Sequence, residues 1–218
     1  FEDPAPAKDS SIEADKMESY INDVKKIKEK YKDKIKINIG AEVDYIEGFE
    51  EEIKNNLNKY GEYLEDSILS VHMIKIEDKY YCMDFSCEEF EKIVNLLGSV
   101  ESVYNLYYET LIKAINSDLG KYKPKRIGHL NLVRKYNKKF PYDYSDNKKL
   151  KEVVKLISDR GYELDYNIAG LFKEDCGETY ISGYLAELIK QYNIKLVLGS
   201  DSHSAKDIDK YEELNEHI

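Results

Sequence analysis

The chain of 218 residues has no tryptophan, four prolines, eleven glycines and three cysteines. With so little proline and glycine there is no flexible linker to divide it, and residues 1–218 read as one domain. Cys82, Cys87 and Cys176 form no Cys-x-x-Cys pair, which excludes zinc-ribbon and thioredoxin-like sites. Reduced thiols and the lack of a signal peptide predict a cytoplasmic protein. No apolar run approaches the roughly 18 residues of a membrane span. Positive charge is in deficit: 33 Lys and Arg stand against 43 Asp and Glu, for a net charge of −10. A chain that grips nucleic-acid phosphates carries a basic face, so neither nucleic acid nor membrane is the expected partner. A small phosphorylated substrate, met by one or two local cations, remains compatible. Walker A, G-x-G-x-x-G and G-x-S-x-G motifs are also missing, which argues against nucleotide-driven, dinucleotide and serine-hydrolase chemistry.

What is present alternates between strand and helix. Ser10-Ser11-Ile12-Glu13 reads as a capping box opening a helix that ends near Tyr31. Ile35, Ile37 and Ile39 alternate with polar residues as a strand running into Gly40-Ala41-Glu42-Val43-Asp44. A helix is expected over Phe49–Tyr60, then a buried strand over Ile68–Ile74 and a polar turn at Glu77-Asp78-Lys79. Helices follow over Glu88–Leu97 and Val100–Leu119, split by Gly98, then a strand over Arg126–Leu130. Asn131–Asn147 is irregular and reads as an active-site loop. Lys148–Arg160 is a helix ended by Gly161, Tyr162–Asn167 a strand, Ser182–Tyr192 a helix, Lys195–Gly199 a strand, and a last helix starts at Lys206. Five strands alternating with helices imply an α/β fold with a parallel sheet, as a barrel or a doubly wound sheet.

Three of the four histidines, His72, His129 and His203, fall at expected strand ends. Glu42 holds the same place on the first strand, and Asp201 stands beside His203. In a parallel barrel the carboxyl ends of all strands open on one face. Imidazoles and carboxylates meeting there suit zinc, manganese or iron, which ionise a bound water and polarise a phosphoryl oxygen. His217, the second-last residue, is assigned to solvent. Cys82 and Cys87 read as small apolar residues, and the tyrosines as packing. Lys121-Tyr122-Lys123-Pro124-Lys125 and Lys138-Lys139 read as solvated faces. Arg134-Lys135, shortly after His129, is within reach of a phosphate.

Gly40-Ala41-Glu42-Val43-Asp44-Tyr45-Ile46-Glu47-Gly48-Phe49-Glu50, Ser67-Ile68-Leu69-Ser70-Val71-His72, Arg126-Ile127-Gly128-His129-Leu130 and Gly199-Ser200-Asp201-Ser202-His203 occur in that order. Together with the Gly177-Glu178-Thr179-Tyr180 loop they resemble the histidinol-phosphate phosphatases of the polymerase and histidinol phosphatase (PHP) family. The resemblance implies a distorted (β/α)7 TIM-like barrel with a trinuclear metal centre that hydrolyses L-histidinol phosphate, a step of histidine biosynthesis. It makes Glu42, His72, His129, Asp201 and His203 metal ligands, with Asp201 or His203 protonating the leaving alcohol. Arg134 is similar to a phosphate-contacting Arg of the family, and Lys173 stands near a second.

The family's first strand carries His-x-His and its second ends in a further His, whereas no His precedes His72 here. The chain also opens on Phe1 and not on Met. Both observations predict about fifty further residues ahead of Phe1 in the intact protein, the length of two β–α units. On that reading the intact protein holds up to three ions, while this chain has an open barrel, binds at most one ion tightly and is nearly inactive alone. Two other readings stay open: a phosphoesterase of the same family acting on another small phosphate ester, and a noncatalytic metal-binding domain.

Overall fold

The computed structural model describes residues 11–208. Phe1, the expected cap at Ser10, His217 and anything beyond residue 208 lie outside the described residues. The first helix, α1, spans Met17–Tyr31 after a 3-10 turn at Ala14–Lys16. It buries Met17 and Ile21 against Ile39 and Tyr60. The expected strand over Ile35–Ile39 does not form a ladder. Ile35 is exposed, and Ile39 bonds residues 65 and 66, its C=O accepting from both N–H groups and its N–H donating to the Glu65 carboxylate. Only Glu42–Asp44 enters the sheet, as β1.

Helix α2, Glu50–Tyr60, turns Ile53 and Leu57 inward. The apolar run after it is not one strand. β2 covers only Ile68–Ser70. The chain then forms an antiparallel hairpin, β3 (Met73–Ile76) and β4 (Lys79–Cys82), turning at Glu77, whose φ is +55°. Two helices follow, α3 (Cys87–Leu97) and α4 (Val100–Asn116). The Ser86 and Ser99 hydroxyls each accept a backbone N–H of the first turn, as N-caps do.

α4 ends three residues before the expected Leu119, and its end corrects the reading of Lys123 as solvated. The Lys123 Nζ donates to the carbonyls of Ala114 (2.7 Å), Ile115 (2.8 Å) and Ser117 (2.7 Å). A helix C-terminus leaves carbonyls unpaired and carries partial negative charge, so one ammonium closes it. Lys123→Met would orphan all three, and a loss of about 2–3 kcal/mol is expected, read as a lower urea midpoint. An unchanged midpoint would show that water replaces the ammonium at no cost. Lys138 and Lys139 are exposed, as expected, with the Glu174 carbonyl and the Asp175 carboxylate as their surface partners.

The remaining elements are β5 (Arg126–Ile127), α5 (Lys148–Asp159), β6 (Glu163–Asn167), α6 (Gly183–Gln191) and β7 (Leu196–Gly199). Residues 205–208 form a 3-10 turn where the last helix was expected. The five longer-range strands make one parallel sheet in the order β1-β2-β5-β6-β7. The expected α/β fold with a parallel sheet is therefore present, with β1 and β7 at its two ends among the described residues.

Alternation sorts the two faces of this sheet. Val43, Leu69, Ile127 and Leu164 face the helices, in a core shared with Leu57, Phe90, Tyr104, Leu111, Val153 and Leu185. The opposite face carries Glu42, Asp44, Ser70, Asp165 and Asn167. Parallel sheets ordinarily bury apolar residues on both sides. A face that instead buries Ser70, Asp165 and Asn167 is where chemistry belongs.

Candidate metal centre

Strand register builds the site. β1 and β2 run parallel with Asp44 opposite Ser70, and Leu69 lies opposite Ile127 of β5. His72 and His129 each follow their strand by two residues, so both emerge at its carboxyl end, beside Glu42 and Asp44. His129 has φ +24°, rare for a non-glycine residue. Gly128 before it allows a close approach, since a Cβ there would lie 2.3 Å from the Ser70 Oγ.

The Glu42 Oε1 lies 2.9 Å from the His129 Nε2 and 3.6 Å from the His72 Nε2. The two imidazoles meet edge to face with centroids 4.7 Å apart. One ligand atom from each of the three residues falls within 4.8 Å of the others, the one such group among the described residues. His129 is buried and its Nδ1 has no partner, whereas the His72 Nδ1 lies 3.2 Å from the Asp44 Oδ1.

Electrostatics marks the same place. Burial opposes a charged His72, but the carboxylates of Asp44, Asp84 and Glu42 outweigh it and push the imidazole pKa up to about 10. Burial also opposes a charged Glu42; the bond from His129 and the two histidines hold it well below the usual carboxylate range. The acids thus draw a positive charge into the pocket. Two imidazoles and a carboxylate are the donor set of zinc and related divalent ions, so the residues fit such an ion, which would take the place of that proton.

Asp84 reaches His72 from outside the main sheet, on the segment that follows β4. Its Oδ2 takes the Lys135 Nζ at 2.9 Å, and its carbonyl takes Lys135 and the Tyr136 hydroxyl. The Cys82 Sγ donates to its Oδ1 (3.3 Å), and burial with that carboxylate pushes the thiol up to about 12. Cys82 therefore stays protonated and inert.

The other expected site residues stand apart from the three. Asp201 follows β7 at φ +51°, where its charge acts on Asp165 and Tyr180. The His203 side chain is 83% exposed, and its Nδ1 lies 2.9 Å from the Asp201 carbonyl. The Arg134 guanidinium lies over the Tyr144 ring at 4.5 Å and donates through Nε to Glu178, which also accepts from Asn137. Lys173 is exposed, just past a 3-10 turn at Ala169–Phe172.

Sequence reasoning missed the roles of Asp44, Asp84 and Asp165. Asp165 carried a usable signal: in Glu163-Leu164-Asp165-Tyr166-Asn167 it shares a face with Asn167 and opposes Leu164. Asp84 carried none: the turn at Glu77-Asp78-Lys79 is legible, but the strand after it, which delivers Asp84, is not.

Residues 11–169 match the PHP domain family. The chain is 42% identical over 212 residues to the histidinol-phosphatase of Bacillus subtilis, covering 95% of this chain and 78% of that one. A Listeria monocytogenes HisK structure, named as a candidate histidinol phosphatase, superposes with a TM-score of 0.89 at 36% identity, covering 95% of this chain and 78% of its own. The Lactococcus lactis histidinol phosphate phosphatase, solved with zinc, L-histidinol and phosphate, shares the fold with a TM-score of 0.67 at 22% identity, over 98% of this chain and 77% of its own. A fold with this site, matched over this length at these identities, places the chain in the PHP family, among the histidinol-phosphatases.

Proposed function

We propose that the chain is a metal-dependent phosphomonoesterase that hydrolyses L-histidinol phosphate to L-histidinol and phosphate, as in histidine biosynthesis. The observation that carries this reading is the convergence of Glu42, His72 and His129 on the polar face of a parallel sheet in a relative of histidinol-phosphatases. A zinc, manganese or iron ion bound there would supply a Lewis acid for the phosphoryl oxygen and an ionisable water.

The chain's own residues do the rest. Glu42 serves two imidazoles with one oxygen, so a single substitution there loosens both. Asp201 and His203 would be further residues to hold the ion, and whichever of them is not bound to it would give its proton to the leaving alcohol oxygen. Glu178 fixes the Nε edge of Arg134, and we assign the Nη edge to the phosphate, with Lys173 as a second cation. We infer that the five parallel strands are an arc of a distorted (β/α)7 barrel, that residues 1–218 belong to one domain, and that it works in the cytoplasm. No helix among the described residues is long and apolar enough to cross a membrane.

Phosphate release by the purified chain, with histidinol phosphate compared against a panel of phosphomonoesters, tests the reading. Histidinol phosphate is expected to be preferred by at least about tenfold, the discrimination that a few polar contacts provide. Glu42, His72 and His129 suffice for one ion, so one tightly held ion per chain is expected, with turnover about tenfold or more below that of the Bacillus enzyme. Equal rates across the panel, or no metal-dependent release at all, would defeat the substrate assignment. Three ions retained through dialysis would defeat the single-ion expectation.

A further inference from the structure

We propose that Asp44 is a positioning residue that holds His72 with its Nδ1 protonated and its Nε2 free to ligate a divalent cation. The inference rests on the reading of His72 as a ligand and goes beyond it by naming what orients the ring.

The geometry starts in the strand. Glu42 and Asp44 lie two apart on β1, so both carboxylates stand on the same face of the sheet. Pairing sets Asp44 opposite Ser70, and His72 follows two residues later. One oxygen, the Asp44 Oδ1, then makes two contacts with one residue: it accepts the backbone N–H of His72 at 3.1 Å and lies 3.2 Å from the ring Nδ1. The backbone bond fixes where that oxygen sits. The fixed oxygen in turn selects the ring nitrogen that carries the proton, because an ionised carboxylate only accepts. The lone pair is left on Nε2, on the side of the Glu42 Oε1 at 3.6 Å.

His129 is built differently. Its Nε2 lies against Glu42, its Nδ1 has no partner, and its backbone N–H is the part that a carboxylate holds, that of Asp165. Of the two imidazoles, only His72 has its ring oriented by an acid of its own. A carboxylate behind a metal-bound imidazole fixes its tautomer and raises its basicity, and losing such a partner typically costs about 10–100-fold in metal affinity. Asp44 has no assigned contact with substrate, so its effect passes through His72.

Zinc affinities of the wild-type chain, Asp44→Asn and Asp44→Ala, measured by competition with a chromophoric chelator, test the proposal. Asp44→Asn keeps an oxygen for the backbone N–H of His72 and so keeps the fold, but it lacks the charge. It is expected to bind zinc about tenfold more weakly, and Asp44→Ala up to about 100-fold more weakly. Long-range proton–nitrogen spectra of the zinc-loaded wild type give a readout that a merely structural role would not move: they should show His72 protonated at Nδ1 and metallated at Nε2. If Asp44→Ala does not fold, Asp44→Asn and this tautomer still decide the matter. Affinities of both variants within about twofold of wild type, or zinc on Nδ1, would overturn the proposal while leaving the metal site intact. A wild-type chain that takes up no zinc would overturn the metal reading, and the proposal with it.

Discussion

Glu42→Gln is expected to empty the metal site without unfolding the chain. Glutamine matches glutamate in shape, and its Oε1 can still accept from the His129 Nε2, now 2.9 Å away. What disappears is the negative charge that both imidazoles share. A four-ligand zinc site contributes roughly 10–16 kcal/mol, so one ligand's share is on the order of 3 kcal/mol, or about a hundred-fold in affinity. Dialysed wild-type protein should retain one zinc per chain and Glu42→Gln almost none, with similar thermal unfolding of the two metal-free proteins. Stoichiometric zinc on Glu42→Gln would mean that the ion sits elsewhere.

Gly199→Ala is expected to cost about 3 kcal/mol and to loosen metal binding as well. A Cβ at Gly199 would lie 1.9 Å from the Asp165 Oδ1 and 2.8 Å from its Cγ. Asp165 cannot simply swing aside. It is buried, takes the Asn167 Nδ2 at 3.0 Å and accepts the backbone N–H of His129, while Asn167 is itself tied to the Ala169 N–H at 2.9 Å. The strain therefore passes to a metal ligand. Gly98→Ala is the control: Gly98 has φ +82° with nothing within 4 Å of a Cβ, so only the backbone penalty of about 1 kcal/mol applies. Urea midpoints that fall equally in the two variants would show that Asp165 yields freely.

The elements that could be read from the sequence are those whose signals are local. Helices α3 and α4 start within one residue of expectation, Gly98 and Gly161 follow helix ends, and strands β6 and β7 fall within one residue of expectation. Glu42, His72 and His129 were legible because the carboxyl ends of parallel strands meet. The failures come from interactions between distant parts of the chain. The run Ile68–Ile74 has apolar residues on both sides of Ser70 and His72, so its pattern does not by itself mark the break after Ser70 where the chain leaves one sheet for another. Ile35–Ile39 alternates like a strand but ends on the Glu65 side chain, 26 residues away. Lys123 looks like any surface lysine until α4 ends beside it. Arg134 was legible as a cation but not as the partner of Glu178, since the two lie 44 residues apart.

The acids gathered about His72 also dictate a sequence of arrivals. Glu42, Asp44 and Asp84 outnumber the single ammonium of Lys135, and the sum stays negative even with His72 protonated. A phosphate dianion approaching that pocket bare is repelled; once a divalent ion is seated, it is attracted. On this balance the cation would be bound before the ester. A cell short of metal thus holds this protein empty, its substrate still free in solution.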